Sequence, residues 1–212
     1  MSPLHHPTVF QDRADAARQL VAALQAYRGQ HPLVLAIPRG AVPMAKAISA
    51  ALDGDFDVVL VRKLRAPYHP EVAIGSVDES GWTYLAPYAA SEDTDYIAAE
   101  KRRQMDTIRQ RRAQYTPLRA PIAPTGRTVI VVDDGLATGA TMIAALHGLR
   151  QHHPAWLVCA VPVSSPEALQ AVRPLADEVL CLQVPLDFQA VGQSYRDFPQ
   201  IEDDEVIALM AH

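Results

Sequence analysis

Residues 129–141, VIVVDDGLATGAT, decide how the rest of this 212-residue chain is read. Val129, Ile130, Val131 and Val132 form an unbroken β-branched run, the pattern of a short strand covered on both faces, as in a parallel sheet. Asp133 and Asp134 follow at the carboxyl end of that strand. Open α/β sheets bind ligands in the crevice beyond those ends, so two acids here suit a polyhydroxyl ligand or a metal better than packing. Next come Ala137, Thr138, Gly139, Ala140 and Thr141, all small, two with hydroxyls. The apolar spacing Met142, Leu146, Leu149 then starts a helix at about Thr141. Free backbone N–H groups, the positive helix end and the threonine hydroxyls together make an anion site, most naturally for a phosphate. Acids and phosphate cradle a few residues apart require vicinal hydroxyls near a terminal phosphate, which describes a ribose 5-phosphate moiety held from two sides.

Other phosphate loops fit worse. The chain has no GxxxxGK[ST], and Gly135 and Gly139 are not spaced as in GxGxxG; two carboxylates before the loop are foreign to both. The run VVDDGLATGAT resembles the phosphoribosyl-pyrophosphate (PRPP) signature of type I phosphoribosyltransferases. That resemblance implies an α/β fold, a parallel doubly wound sheet of about five strands flanked by helices, with a mobile loop or hairpin and a small hood. It also implies a pentosyltransferase of nucleotide and nucleoside metabolism, with PRPP as co-substrate and Mg2+ as cofactor. The 5-phosphoribosyl group would pass to a nitrogen of a nucleobase-like acceptor, releasing pyrophosphate. Asp133 and Asp134 would then hold the ribose hydroxyls and, directly or through water, the metal, while Ala137, Thr138, Gly139, Ala140 and Thr141 anchor the 5-phosphate.

Two further loops point to a second anionic end. Residues 33–37 read as a buried strand, followed by Pro38, Arg39, Gly40 and a helix over about 43–52. An arginine beside a glycine suits phosphate, because the guanidinium is a permanent bidentate donor and glycine lets backbone approach. In the resembled family the corresponding loop contacts pyrophosphate. Residues 56–61 read as a third strand with Arg62 and Lys63 at its carboxyl end, similar to an "RK" whose lysine reaches pyrophosphate in several members. On the resemblance, Arg39 and Lys63 join the acids as catalytic residues. The region 64–86, with hairpin-like runs at 72–77 and 83–85, would fold over bound PRPP and keep water from the reacting sugar. His69 and Glu71 are its titratable groups, without an assigned role.

Elsewhere Asp12 caps a helix with Ala16, Leu20, Ala23, Leu24 and Tyr27 at helical spacing. Residues 95–115 form a charged helix whose sparse stripe is Ile97, Met105, Ile108 and Tyr115. Lys101, Arg102, Arg103, Arg109, Arg111 and Arg112 cover the rest, either as a solvated face, as a subunit contact in a homodimer, or against RNA. Strand 157–163, a helix over 165–175 with a capping-box pattern and strand 178–184 complete an alternation that gives a parallel sheet. The tail, 185–212, loosely resembles the end of hypoxanthine-guanine phosphoribosyltransferases, which makes Phe188, Val191, Tyr195 and Asp197 an acceptor pocket. Two departures leave the acceptor open: Ala137 stands where several purine enzymes have an acid, and strand 157–163 lacks a lysine to read a purine carbonyl. A non-catalytic PRPP-binding regulator is the alternative.

Composition sets the outer bounds. With 49% hydrophobic and 20% charged residues the chain is too apolar for disorder, and 1–212 is read as one domain. A net charge of −5 argues against a nucleic-acid partner. No apolar run reaches membrane-spanning length and the start MSPLHHPTVFQDR lacks a signal peptide's pattern, so a cytoplasmic location is expected. Cys159 and Cys181 sit in apolar runs, as reduced core residues.

Overall fold

The computed structural model describes residues 9–69, 72–86, 88–89, 92–117 and 119–211. In chain order the elements are α1 (Arg13–Ala23), β1 (Leu33–Ala36), α2 (Val42–Leu52), β2 (Asp55–Val58), β3 (Val61–Arg65), β4 (Ala73–Asp78) and β5 (Thr83–Leu85). They continue with α3 (Thr94–Tyr115), β6 (Thr128–Val132), α4 (Ala140–Gln151), β7 (Trp156–Val163), α5 (Pro166–Val172), β8 (Glu178–Gln183) and α6 (Asp203–Met210).

Five of the strands form one sheet in the order β2-β1-β6-β7-β8, every pairing parallel. Period-two alternation explains why the runs are apolar throughout. Val34, Ala36, Ile130, Val132, Val158 and Ala160 face a core shared with α1 and α2, whereas Leu33, Leu35, Val129, Val131, Leu157 and Cys159 face one shared with α4 and α5. Each such side chain contributes about 1.5–3 kcal/mol when fully buried. The register sets Ala36 beside Val132, and the Ile37 N–H donates to the Val132 carbonyl at 3.0 Å. Level strand ends therefore bring the loops after β1 and β6 side by side. Cys159 is buried, and both cysteines are free thiols.

One strand differs from the sequence reading. The apolar run of residues 56–61 breaks after Val58, where β2 stops pairing with β1, and β3 begins at Val61 in a separate antiparallel sheet, β3-β4-β5. Arg62 and Lys63 thus lie inside β3, opposite Val77 and Ser76, and not at the end of a core strand. Hydrophobicity continues through the break because both sheets are buried there, so nothing in the run marks the change of partner.

Helix α3 starts at an Asp93 cap whose side chain accepts the Asp95 N–H. It buries Ile108 and Tyr115 but also Glu100 and Gln104, and its basic face is partly neutralised: Arg103 pairs with Glu100, Arg109 with Asp106, and Arg112 with Asp57 and Glu79. The tail ends in α6, an element to which the sequence reading gave no secondary structure. Its Val206 and Met210 are buried, and Tyr115 donates to Asp203 at 2.6 Å. Among the described residues no helix is long and apolar enough to cross a membrane.

Candidate functional site

Beyond β6 the chain carries its acids into the crevice between the β1 and β6 loops. The Asp134 N–H donates to Oδ1 of Asp133 at 2.9 Å. Burial, reinforced by the neighbouring Asp134 charge, holds the Asp133 carboxyl well above the usual range. Burial raises Asp134 as well, but there Arg13 opposes it. Arg13 donates to Asp134 through Nε at 3.0 Å and Nη2 at 2.8 Å, and both bonds end on Oδ2. Its Nη1 donates to the Pro199 carbonyl at 2.6 Å, and its guanidinium lies 3.8 Å over the Phe198 ring. One carboxylate oxygen of each acid is left out of these contacts.

Glycine allows the loops to close on the acids. A Cβ on Gly40 would stand 2.0 Å from Asp134 Oδ2, and one on Gly135 would stand 2.5 Å from Val191. The Pro38–Arg39 peptide beside Gly40 is cis. Arg39, at the same turn, donates to Glu202 at 3.2 Å and lies 3.9 Å from Asp203, so the start of α6 holds it.

The small-residue loop is tied to β7 and open at its tip. The Leu136 N–H donates to the Val163 carbonyl and the Ser165 N–H to the Leu136 carbonyl, both at 2.9 Å; Ser165 Oγ donates to the Ala137 carbonyl at 2.8 Å. Ala137 and Thr138 are exposed. Gly139 caps α4 at φ 73°, a left-handed conformation that glycine adopts without cost, and it offers no side chain to the first-turn N–H groups. Thr138 Oγ1 accepts the Ala140 N–H at 3.4 Å, while Thr141 is half-buried. Uncapped amides at a helix start attract an anion.

Of the remaining expected residues, Arg62, Val191 and Tyr195 come next to the two loops, whereas Lys63, His69, Phe188 and Asp197 make no hydrogen bond or ion pair with the acids or the small-residue loop among the described residues. Arg62 is half-buried and donates to Gln104 at 3.0 Å; Lys63 and His69 are exposed, and Glu71 lies outside the described residues. Phe188 is half-buried against the core, and Val191 covers Gly135. Tyr195 is buried: its hydroxyl donates to the Asp134 carbonyl at 2.7 Å and its ring stacks on Phe198 at 4.6 Å, so it braces the acid's backbone. Asp197 is exposed, and its N–H donates to the Gln11 carbonyl. A cavity of about 460 Å3 lined by Asp57, Leu60, Arg112, Pro121 and Gly148, among others, touches none of these residues.

Arg13, Ser165 and Phe198 are the contributors that sequence reasoning missed. Arg13 left one trace, a cation in the first turn of a helix, where the dipole disfavours it unless an acid is close.

Comparison with known proteins gives a consistent picture. The family model described as phosphoribosyl transferase domain matches residues 3–197. A candidate phosphoribosyl transferase of Mycobacterium tuberculosis is 40% identical over 205 residues, 95% of this chain and 46% of that protein. A ribose-phosphate pyrophosphokinase of a Marinomonas species is 28% identical over 156 residues, 72% of this chain and 47% of that one. The chain therefore spans about half the length of the curated relatives it matches. Among solved structures, the protein TT1426 from Thermus thermophilus superposes with a TM-score of 0.86 at 44% identity, covering 95% of this chain and 97% of that one.

Proposed function

The chain belongs to the phosphoribosyl transferase domain family, and from that membership we propose that it transfers the 5-phosphoribosyl group of PRPP to a nitrogen of a nucleobase-like acceptor. In this reaction the bond from C1 of ribose to the pyrophosphate oxygen breaks, a C1–N bond forms, pyrophosphate leaves with the electron pair, and the proton released from the acceptor nitrogen passes to water or to the departing pyrophosphate. The observation that carries the reading is the half-buried acid pair of Asp133 and Asp134 set one loop away from the uncapped start of α4. The amides and hydroxyls of Ala137, Thr138, Gly139, Ala140 and Thr141 bind the 5-phosphate. The carboxylate oxygens left out of the local contacts take the ribose hydroxyls and face C1 as it becomes electron-poor. Arg39 and Gly40, with Arg62 and Lys63, serve the leaving pyrophosphate; Arg39 does so after release from Glu202. Fixed charge and positioning supply the acceleration.

Magnesium fits the same acids. Among the described residues no group of three or more His, Cys, Asp or Glu could hold a metal alone. Mg2+ needs no such cage, because it binds through one or two carboxylates plus substrate phosphates and water. Asp133 and Asp134 would hold it there, and it would neutralise the leaving pyrophosphate.

For the acceptor we propose the tail residues Phe188, Val191 and Asp197; the packing of Val191 on Gly135, beside the acids, supports this, and Tyr195 contributes by holding Asp134. A regulator that binds PRPP without transfer has no feature of the structure in its favour, and membership of a transferase family counts against it. The test is pyrophosphate release from PRPP and Mg2+ with a panel of nucleobases. Turnover with one of them supports transfer, and PRPP binding with no turnover on any base sinks it.

A further inference from the structure

Among the described residues, two guanidinium groups near the crevice lack a counter-ion of their own. Arg62 on β3 and Arg111 on α3 line one small cleft with Pro38, from the loop after β1, and Thr141, from the first turn of α4. The cleft holds about 20 Å3, room for roughly one oxygen-sized group. It abuts both halves of the proposed PRPP cradle.

Among the described residues Arg111 makes no hydrogen bond or ion pair, although it is half-buried, and the one hydrogen bond of Arg62 goes to neutral Gln104. Arg112, the next residue of the same helix, is by contrast satisfied by Asp57 and Glu79. Glu100, the one carboxylate acting on Arg62, is already engaged by Arg103, Gln104 and the Arg65 N–H. Burial first, and then the charges of Arg111 and Arg65, lower the Arg62 pKa. Half-buried like charges without a counter-ion are costly unless something negative completes them.

We propose that Arg111 is a further phosphate-binding residue, reaching the cradle from α3 so that it and Arg62 share a phosphoryl oxygen of the activated sugar. This rests on the PRPP reading above and extends it to a helix outside the two motif loops. The oxygen belongs either to the 5-phosphate, on the Thr141 side, or to the pyrophosphate, on the Pro38 side.

Calorimetric titration of ribose 5-phosphate and, separately, of inorganic pyrophosphate into the full chain and its Arg111→Gln and Arg111→Lys variants tests this. Arg111→Gln is expected to weaken at least one of the two by about tenfold or more, the scale of one charge-assisted hydrogen bond, and Arg111→Lys to recover part of it. The thermal midpoint should not fall, because removing one of two neighbouring cations relieves repulsion. A response to ribose 5-phosphate assigns the cleft to the sugar phosphate, and a response to pyrophosphate assigns it to the leaving group. If the parent binds and Arg111→Gln binds both compounds equally well, the assignment is overturned while the cradle stands. Weakened binding with a lowered midpoint would make Arg111 a scaffold residue and overturns it too. A parent that binds neither compound removes the cradle reading and this assignment together.

Discussion

Gly40→Ala tests the coupling between the two loops at its tightest point. A Cβ there would lie 2.0 Å from Oδ2 of Asp134, 2.9 Å from its Cγ and 3.2 Å from Nη2 of Arg13, whereas ordinary contact begins near 3.4 Å. Gly40 is not one of the positive-φ glycines, so alanine suits its backbone and the effect is steric. The oxygen that must retreat is the one on which both Arg13 hydrogen bonds end, at 2.8 and 3.0 Å. A retreat of more than an ångström takes it out of range of both. With side chains only 10% and 17% exposed, Arg13 and Asp134 would become poorly compensated charges. Removing one partner of a fully buried pair costs about 3–5 kcal/mol. The Pro199 carbonyl and the Phe198 ring still hold Arg13, so we expect a loss of about 2–4 kcal/mol by urea unfolding at pH 7. PRPP affinity should fall by about tenfold or more, because the displaced acid no longer meets the sugar. A Gly40→Ala protein with the parent's urea midpoint and the parent's PRPP affinity would refute the reasoning.

Three other perturbations follow from the same geometry. Gly135→Ala places a Cβ 2.5 and 2.8 Å from the Val191 methyls and 2.9 Å from a Val163 methyl, an overpacking cost of about 1–3 kcal/mol; adding Val191→Ala relieves the two shorter contacts and should recover part of it, and a double variant no more stable than the single one contradicts this packing. Ser165→Ala removes both the α5 cap and the bond to the Ala137 carbonyl. It should cost about 1–2 kcal/mol by urea unfolding and weaken ribose 5-phosphate binding, and unchanged values of both would show that the serine does not hold the loop. Asp57 gives a pH signature. Burial alone would raise its carboxyl, but Arg112, the N–H groups of Ile122 and Val58, and Arg119 outweigh it and hold the pKa below the usual range. The unfolded chain then binds more protons than the folded one, so the contribution is complete above about pH 4 and disappears as pH falls through the lower folded value. The stability gap between parent and Asp57→Asn should therefore be widest near neutrality and shrink in acid; a gap independent of pH contradicts the ion-pair assignment.

What could be read from the sequence was what local pattern encodes. The runs at β1, β6, β7 and β8 are short, apolar and bounded by loops, so strand type, parallel pairing and the place of Asp133 and Asp134 followed from composition and order. The α4 start was equally visible, since small residues meet helical spacing there. The break between β2 and β3 was hidden because Val58, Val59, Leu60 and Val61 stay apolar while the chain changes sheets. Helix α6 carries a local signal, acids in its first turn and a Glu202–Glu205 capping box, but the tail was read only for its likeness to an acceptor-side end. Arg13 was out of reach for another reason: its partner is 121 residues away, and only the fold shows that it spends its charge on Asp134. Tyr195 entered the expected acceptor pocket through the resemblance of the tail, whereas in the fold its hydroxyl holds the Asp134 carbonyl.

The central claim is that Asp133 and Asp134 and the loop at 137–141 grip one phosphorylated sugar, and calorimetric titration of PRPP with Mg2+ into the parent and into Asp134→Asn tests it most directly. Thermal midpoints should first confirm that both proteins are folded. The account predicts saturable binding to the parent and affinity weaker by about tenfold or more in the variant, as expected when a charged acceptor of sugar hydroxyls is lost. A folded parent that gives no binding heat, or an Asp134→Asn titration that overlays the parent's, would contradict it.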